Sequence, residues 1–370
     1  MNICILDGKV LNPGDVDWSP ISSLGETVIH DTTSSAELRA HAAGAEVLLL
    51  NKVPLRKSSL KDIPSVKFIG TLATGYDVVD VAACAERRIP VCNVVAYGVD
   101  DVAQHTLALL LELCRRTSEH SRLVREGRWQ ASGQWCFWEK APVQLTGLTI
   151  GIVGFGAIGR RVGELAHAFG MTVSAHTRTP RNPPPYRNFL FTSLDQLLAK
   201  SDVISLHCPL TEATQTLINK ETIARMKQGV LLLNTARGSL INEADVAKAL
   251  KNGRIGGLGT DVLVREPPLA SNPLFTAPNT IITPHMAWAS ARSRQNVINL
   301  MAENIRRWRD GTPVNVVNGV TTPDTPDKTD TPKKLDRAEA APIGVPCGPA
   351  KADSASDKTN KPYGKSNGRA

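Results

Sequence analysis

A glycine-rich segment constrains this chain more than any other feature, because it fits the pattern GxGxxG. The segment reads Gly154-Phe155-Gly156-Ala157-Ile158-Gly159. It follows the apolar run LTIGIV and opens a helical pattern that ends at Gly170, which is the context in which such a loop binds a dinucleotide. Gly154 permits the tight turn, Gly156 lets the backbone approach a pyrophosphate, and Gly159 lets the helix pack on the strand. We therefore predict a dinucleotide site at this helix N-terminus; the alternative is a glycine turn without a ligand.

Short apolar runs alternate with helical patterns along most of the chain. In the first hundred residues we predict strands at 2–6, 47–50, 68–73 and 89–93, and helices at 34–44 and 78–87. From residue 145 we predict strands at 149–153, 171–175, 203–207, 230–234, 257–262 and 280–282, and helices at 157–169, 193–200, 219–227 and 242–250. Ser290 is a candidate N-cap for a closing helix that runs to about residue 309. This alternation is typical of an α/β fold with largely parallel sheets.

A leucine- and alanine-rich helical pattern spans 100–126, and its stretch 107–113 is apolar on nearly all sides. We expect that stretch to be buried between domains or subunits. The next segment, 127–142, is too irregular for a helix and too aromatic for a bare loop. Its aromatic residues are Trp129, Trp135, Phe137 and Trp138. We expect it to pack against another surface.

Composition narrows the class of protein. The formal net charge is +8 without a run of five basic residues, which favours a basic enzyme with anionic ligands over a nucleic-acid-binding protein. No uncharged apolar run of about 18 residues occurs, so we expect no membrane span. The N-terminus does not resemble a signal peptide, and the 7 cysteines are scattered without zinc spacing. We therefore expect free thiols, no metal and a cytoplasmic location.

The character of the chain changes after Gly319. Residues 321–370 are rich in Pro, Thr, Asp, Lys and Ser and almost lack large apolar side chains. Such a segment cannot bury enough surface to offset the entropy of ordering it. We therefore predict a disordered tail at 319–370, with a docking peptide as the alternative.

The residues after the second strand of the βαβ unit distinguish NAD from NADP. An NAD site usually has Asp or Glu about 20 residues after the glycine loop. Here that position falls near Thr177, followed by Arg178 and then Arg181. A missing carboxylate removes repulsion against a 2′-phosphate, and an arginine supplies a bidentate partner for it. We predict NADP in preference to NAD, the alternative being that both arginines are solvated loop charges.

Three polar residues that follow predicted strands are candidates for chemistry. Arg237 lies in NTARG, at the carboxyl end of the sheet, where ligands bind in open α/β folds. Glu266 lies in DVLVREPP, and His285 lies in TPH. Hydride transfer to a ketone needs a proton donor, for which histidine is suited. A carboxylate can orient that histidine, and an arginine can bind an acid and polarise its carbonyl. Each of these residue types, taken alone, is more often structural or on the surface than catalytic.

Together these residues resemble a known family, the D-isomer-specific 2-hydroxyacid dehydrogenases, over about residues 1–318. The matching segments are VGFGAIG, HCPLT at 207–211, NTARG at 234–238, DV…EPP at 261–268 and TPHMAWAS at 283–290. The resemblance implies that Arg237 binds the substrate, that Glu266 is the carboxylate partner and that His285 is the proton donor.

The resemblance also implies the binding residues. The substrate carboxylate would be bound by backbone N–H groups of Ala73, Thr74 and Gly75, together with Arg237 and His285. Besides the glycine loop, Thr177 and Arg178, the implied cofactor contacts are Cys208, Pro209, Thr235, Ala236 and Asp261.

The family fold implies two Rossmann-like domains with parallel sheets. The substrate domain is discontinuous, at 1–98 and 284–318, and the dinucleotide-binding domain is 99–283. The segments LLLNKVPL, LATGYD and HMAWAS look like the glycerate dehydrogenase and hydroxypyruvate (glyoxylate) reductase branch. Family members are usually homodimers built on the region that corresponds to about 100–140. The replaced cofactor acid and the tail depart from the family pattern.

The leading hypothesis is an enzyme that reduces hydroxypyruvate or glyoxylate to D-glycerate or glycolate with NADPH. The alternatives are a dehydrogenase of another short 2-hydroxy acid or a phosphite-like anion, and a dinucleotide-sensing binding protein like the related corepressors. Those corepressors keep the same three polar residues, so the two classes are separated by turnover with hydroxypyruvate and by a pull-down for protein partners.

Overall fold

The computed structural model describes residues 1–321, which form an α/β fold with two parallel sheets. The predicted disordered tail lies, from residue 322 on, outside the described residues. The strands of the first sheet are β1 (Asn2–Ile5), β2 (Glu26–Ile29), β3 (Val47–Leu50), β4 (Phe68–Thr71) and β5 (Val91–Cys92). They lie in the order β2-β1-β3-β4-β5.

The second sheet has seven strands. They are β6 (Thr149–Val153), β7 (Thr172–His176), β8 (Phe189–Phe191), β9 (Val203–Leu206), β10 (Val230–Asn234), β11 (Ile255–Thr260) and β12 (Thr280–Ile282). Their order is β12-β11-β10-β9-β6-β7-β8. From β6 the sheet extends to one side through β7 and β8, and to the other side through β9 to β12. This reversal of strand order creates a ligand crevice at the carboxyl ends of the strands.

Helices connect and cover the strands. Those of the first sheet's connections are α1 (Ser19–Ser22), α2 (Leu38–His41), α3 (Lys57–Leu60) and α4 (Val81–Glu86). They are followed by α5 (Val99–Arg115), α6 (Thr117–Arg125), α7 (Arg128–Ser132), α8 (Ala157–Ala168), α9 (Leu194–Lys200), α10 (Lys220–Arg225), α11 (Glu243–Lys251) and α12 (Ala291–Arg309). Within residues 1–321 no helix combines the length and the hydropathy that crossing a membrane requires.

The strand pairs between these elements are all parallel in the described part of the chain. The central strands are buried on both faces, as β3 (VLLL) and β9 (VISL) illustrate. Parallel strands of this kind read as continuous apolar runs because helices cover both faces of the sheet. The α/β prediction is therefore confirmed, and the polar segments that follow the strands collect at the carboxyl edges of the sheets.

The final helix, α12, covers one face of the first sheet. The Ser290 side chain accepts a hydrogen bond from the Ser293 N–H, so Ser290 is the N-cap that the sequence predicts. The apolar face of α12 packs against side chains of β1, β3 and β4. Met301 of α12 lies so close to Gly70 that a Cβ there would be 2.5 Å from its Sδ. A helix from the far end of the chain thus completes the core of the first sheet.

The single long helix predicted at 100–126 is wrong. Arg116 adopts a left-handed φ of 50° and separates α5 from α6. The apolar stretch of α5 is buried, as expected, at Leu107, Leu109 and Leu110. It is buried against α8, β10 and β11 within the chain, so no domain or subunit interface is needed to account for its burial. The following segment, predicted as too irregular for a helix, contains the short helix α7 between two left-handed glycines. Its five residues are too few for the periodicity of a helix to show in the sequence.

Candidate active site

The glycine loop lies between β6 and α8, at the edge where the parallel strands of the second sheet end. Gly154 has a φ of 95°, and a Cβ there would lie 2.5 Å from backbone atoms of His207 and Cys208. A Cβ on Gly159 would collide with the carbonyl oxygen of Gly154, so α8 approaches β6 this closely only because that residue is glycine. A Cβ on Gly156, by contrast, would meet no heavy atom within 4 Å. Open space therefore lies in front of the helix.

The first turn of α8 presents backbone donors to this space. Within residues 1–321 the N–H groups of Gly156, Ala157 and Ile158 donate to no acceptor. The positive end of the helix dipole adds to their attraction for an anion. Phe155 is buried in the core beneath them and leaves the opening clear. The cradle fits the pyrophosphate of a dinucleotide.

The segment after β7 carries the residues predicted to contact the ribose. Thr177 is partly buried and Arg178 is exposed, directly past the end of the strand at His176. In the described part of the chain no carboxylate forms an ion pair with Arg178 or Arg181. Both guanidinium groups are therefore available to a phosphate.

Arg160 of α8 holds the backbone of this segment. Its Nη1 donates to the carbonyl oxygen of Asn182 and its Nη2 to that of Arg181, both at 2.6 Å. Further along, Tyr186 stacks on His167 of α8, with 4.5 Å between the ring centroids. The segment after β7 is thus fixed against α8 by contacts within the protein.

Four more residues predicted to contact the cofactor lie at the same edge. Cys208 and Pro209 follow β9, and Thr235 and Ala236 follow β10. In the sheet β9 is the neighbour of β6, and β10 is the neighbour of β9. Their carboxyl ends therefore lie on the same side as the glycine loop. Burial raises the pKa of the Cys208 thiol, which keeps it uncharged. The hydroxyl of Thr235 lies 2.9 Å from that of Thr106 on α5.

His285 and Glu266 form a hydrogen-bonded pair beyond the ends of β11 and β12. Nδ1 of His285 lies 2.6 Å from Oε2 of Glu266, and their side chains are 28% and 33% exposed. Burial raises the pKa of Glu266. The hydrogen bond and charge of His285, the Leu263 N–H and the charge of Lys52 outweigh that effect and hold the pKa below its usual value. Glu266 is therefore an ionised acceptor, so Nδ1 carries a hydrogen and Nε2 remains to exchange a proton.

The backbone of His285 is held in a left-handed conformation, with a φ of 54°. That conformation costs a non-glycine residue about 1–2 kcal/mol. The His285 N–H donates to the carbonyl oxygen of Asp261 at 2.8 Å, and Nε1 of Trp288 donates to the His285 carbonyl oxygen at 2.9 Å. The buried carboxylate of Asp261, a predicted cofactor contact, accepts the N–H groups of Met286 and Ala287. These bonds offset the strain and fix the direction of the imidazole.

Arg237 extends from the second sheet to the first. It follows β10, and its Nη1 donates to the Ala236 carbonyl oxygen at 2.8 Å. A Cβ on Gly75 would lie 2.6 Å from Nη2 of Arg237, so the guanidinium lies directly against the loop after β4. Within the described residues no carboxylate forms an ion pair with Arg237. A partly buried guanidinium without a counter-ion attracts an anion.

The loop after β4 supplies backbone donors beside that guanidinium. Val94 N donates to the carbonyl oxygen of Ala73 at 3.0 Å, which holds the loop in place. Among residues 1–321 no acceptor receives the N–H groups of Ala73, Thr74 or Gly75. Together with Arg237 they can bind a small carboxylate.

Some side chains near the site carry no local sequence signal. Burial raises the pKa of Tyr97 to about 12, although the charge of Arg237 acts in the opposite direction. The ring of Tyr97 lies edge-on to Trp288, with 6.1 Å between centroids. Trp288 belongs to the segment HMAWAS, so its place in that motif is the signal that could have found it. Lys52 lies far in the sequence from Glu266, whose pKa its charge lowers. Tyr97 likewise lies far in the sequence from Arg237 and Trp288.

Comparison with known proteins places these features in context. Residues 107–287 match the family description "D-isomer specific 2-hydroxyacid dehydrogenase, NAD binding domain". The chain is 42% identical over 321 residues to a hydroxypyruvate reductase of Blautia hydrogenotrophica, covering 86% of this chain and 100% of that protein. It is 39% identical to a glycerate dehydrogenase of Methylorubrum extorquens, covering 77% and 90% of the two chains.

The structural comparison gives the same fold. An acyclic imino acid reductase, solved in complex with NADPH and D-Arg, is 28% identical, with a TM-score of 0.74 over 86% of this chain and 100% of that chain. The described part of the chain, with its two parallel sheets, thus has the architecture of a complete relative.

Proposed function

Because the chain belongs to the D-isomer-specific 2-hydroxyacid dehydrogenase family, we propose that it reduces hydroxypyruvate to D-glycerate, and glyoxylate to glycolate. The observation that carries this proposal is the guanidinium of Arg237, which lies against Gly75 and has no carboxylate partner among residues 1–321. It follows β10, while the His285–Glu266 pair lies beyond the ends of the neighbouring strands β11 and β12. Such a site offers a small 2-oxo acid a cation for its carboxylate and a proton donor for its carbonyl. The names of the two relatives support hydroxypyruvate as the substrate.

The proposed mechanism assigns one task to each side chain. Arg237 and the N–H groups of Ala73, Thr74 and Gly75 bind the substrate carboxylate and orient the C2 carbonyl. As hydride reaches C2, Nε2 of His285 donates a proton to the carbonyl oxygen, which becomes the 2-hydroxyl group. Glu266 keeps Nδ1 of the imidazole hydrogen-bonded and stabilises its charge. In the reverse direction His285 removes the hydroxyl proton.

The glycine loop would hold a nicotinamide dinucleotide, which would supply the hydride. The N–H groups of Gly156, Ala157 and Ile158 would hold its pyrophosphate. We propose NADP as the preferred cofactor. Within the described residues no carboxylate forms an ion pair with Arg178 or Arg181, and the segment 177–188 after β7 contains no Asp or Glu. A structural relative bound to NADPH supports this preference.

We further propose a homodimer in the cytoplasm, with residues 127–142 in the subunit contact. Trp135 is 87% exposed and Trp138 59% exposed in the single chain, and large aromatic side chains of this kind are enriched in interfaces. The six described cysteines are free thiols, which fits a reducing compartment. The oligomeric state follows from the molar mass by light scattering.

Initial rates test the proposal. We expect the highest kcat/KM for hydroxypyruvate with NADPH, a measurable rate with glyoxylate, and lower values for pyruvate and phenylpyruvate. D-Glycerate with NADP⁺ should give the reverse reaction. Dinucleotide binding without turnover of any of these acids would indicate a binding protein instead. A higher kcat/KM with NADH would overturn the cofactor assignment alone.

A further inference from the structure

A chain of hydrogen bonds links α5 to the loop of His285. Nε2 of His105, on α5, lies 2.9 Å from Oγ1 of Thr283. Oγ1 of Thr283 lies 2.6 Å from Oδ1 of Asp261. The same Asp261 carboxylate accepts the backbone N–H groups that follow His285. His105 therefore contacts the loop of His285 through two intermediates and belongs neither to the glycine loop nor to the acid-binding loop.

The direction of each hydrogen bond follows from the groups involved. Both carboxylate oxygens of Asp261 accept backbone N–H groups, and Oδ1 also accepts the single hydroxyl hydrogen of Thr283. The lone pairs of Thr283 then face His105, which must carry a hydrogen on Nε2. His105 is 3.6 Å from Oδ1 of Asp261, too far for a direct bond, so Thr283 is the link. Successive bonds that all point the same way strengthen one another.

The chain ends on the part of the backbone that most needs support. His285 has a φ of 54°, and Asp261 binds it twice, through its carbonyl oxygen to the His285 N–H and through its carboxylate to the next two N–H groups. A rotation of the Asp261 carboxylate would release those N–H groups and let the loop relax. Thr283 prevents that rotation, and His105 holds Thr283.

We propose that His105 is a positioning residue for the proton donor His285, acting through Thr283 and Asp261. The proposal rests on the reductase activity proposed above. His105 does not touch the acid-binding loop, and neither Thr283 nor Asp261 belongs to it, so its removal should disturb the proton-transfer geometry and leave binding of the acid intact. Small displacements of an acid–base group reduce turnover more than affinity.

The test compares kcat and KM for hydroxypyruvate in the full-length enzyme with saturating NADPH. H105A should lower kcat about tenfold, as expected for the loss of one partly buried hydrogen bond, and should leave KM for hydroxypyruvate within about twofold. H105Q should recover most of the kcat, because the glutamine Nε2 donates from nearly the same place as the imidazole Nε2. Q104A, an exposed neighbour on α5, should behave like the wild type.

A double-mutant cycle isolates the link. T283V removes the hydroxyl with little change of shape, and H105A should have no additional effect on kcat in that background. Additive losses, a wild-type kcat in H105A, a similar loss in Q104A or a KM for hydroxypyruvate raised well beyond twofold would each overturn the proposal. If H105A does not fold, H105Q and the effect of T283V on kcat decide. An inactive wild type would instead reject the proposed function itself.

Discussion

Nδ1 of His285 and Oε2 of Glu266 are 2.6 Å apart, which leaves only Nε2 of the imidazole to face a substrate. The pKa of Glu266 lies below its usual value because the stabilisation by His285, Leu263 and Lys52 exceeds the effect of burial. The carboxylate therefore remains charged across the neutral and mildly acidic range.

Replacement of Glu266 by glutamine keeps a hydrogen-bond acceptor and removes the charge. We expect E266Q to lower kcat for hydroxypyruvate about 10- to 100-fold, in the range that general acid–base catalysis contributes. Steady-state rates with saturating NADPH measure this loss. An unchanged kcat would contradict the pairing, and an unchanged Kd for NADPH is the control.

Arg237 tests the recognition of the acid. We expect R237A to lower kcat/KM for hydroxypyruvate about 10²- to 10³-fold, because it removes a cation that stabilises charge at the reacting carbonyl. R237K should recover only part of this loss, since an ammonium lacks the planar fork of a guanidinium. Steady-state rates measure both variants. Equal activity of R237K and the wild type would show that charge alone suffices.

Gly75 tests the contact between the two sheets. In G75A the new Cβ would lie 2.6 Å from Nη2 of Arg237, so the guanidinium has to move. We expect KM for hydroxypyruvate to rise about tenfold, which corresponds to about 1.4 kcal/mol, while KM for NADPH stays unchanged. A rise in both KM values would point to a general disturbance of the fold instead.

The arginines after β7 test the cofactor assignment. We expect R178A to raise KM for NADPH about 10- to 100-fold, as expected for losing a charged hydrogen-bond partner of a phosphate. R181A should act in the same direction. KM for NADH should change little in either variant, because NADH has no 2′-phosphate. Loss of affinity for both cofactors would reject this role.

Arg160 acts on the same segment from α8. Its two hydrogen bonds to the carbonyl oxygens of Arg181 and Asn182 hold the segment in one arrangement, and preorganisation of this kind favours binding. We expect R160A to raise KM for NADPH more than KM for NADH. R161A is a matched control, because Arg161 pairs with Asp100 and Glu164 instead. Identical effects of R160A and R161A would contradict the proposed contact.

His207 predicts how stability changes with pH. Burial lowers its pKa from 6.5 to about 3, so the folded protein keeps the imidazole neutral. Below pH ~6.5 the unfolded chain takes up a proton that the folded chain does not. The free energy of unfolding should therefore fall by up to about 1.4 kcal/mol per pH unit as the pH drops toward 3. Because the residue as a whole is half-buried, this slope is an upper limit. Urea midpoints of the wild type and H207Q between pH 7 and 5 test it: parallel curves would show that His207 has no part in the loss.

The sequence predicts the two parallel sheets because their central strands are buried on both faces. β3 and β9 appear as uninterrupted apolar runs, and the predicted bounds of β3 and β12 agree with the observed strands. The edge strands β2 and β8 have no such pattern, since most of their side chains reach solvent. The end of α5 at Arg116 also cannot be predicted from the sequence, because arginine has no preference for the left-handed conformation that ends the helix.

The candidate site likewise has a part that the sequence predicts and a part that it does not. Arg237, Glu266 and His285 follow strands, so their local context predicts their edge of the sheet, while their chemical roles remain predictions. The contacts that organise them are long-range: His105 and Thr283 are 178 positions apart in the chain, and Gly75 meets Arg237 across the two sheets. No local pattern encodes such a pair, because the fold alone brings the partners together.

The packing of α12 on the first sheet has a consequence during synthesis. Ile3, Val47 and Phe68 are buried with Ile298 and Ile305 of α12, so that face of the sheet stays uncovered until α12 leaves the ribosome. At translation rates of about 5–20 residues per second, the exposed interval between Phe68 and Ile305 lasts roughly ten to fifty seconds. During that interval the nascent chain exposes the apolar face of the first sheet, which is the kind of surface that chaperones shield. Fragments that stop before α12 should aggregate more readily than those that include it.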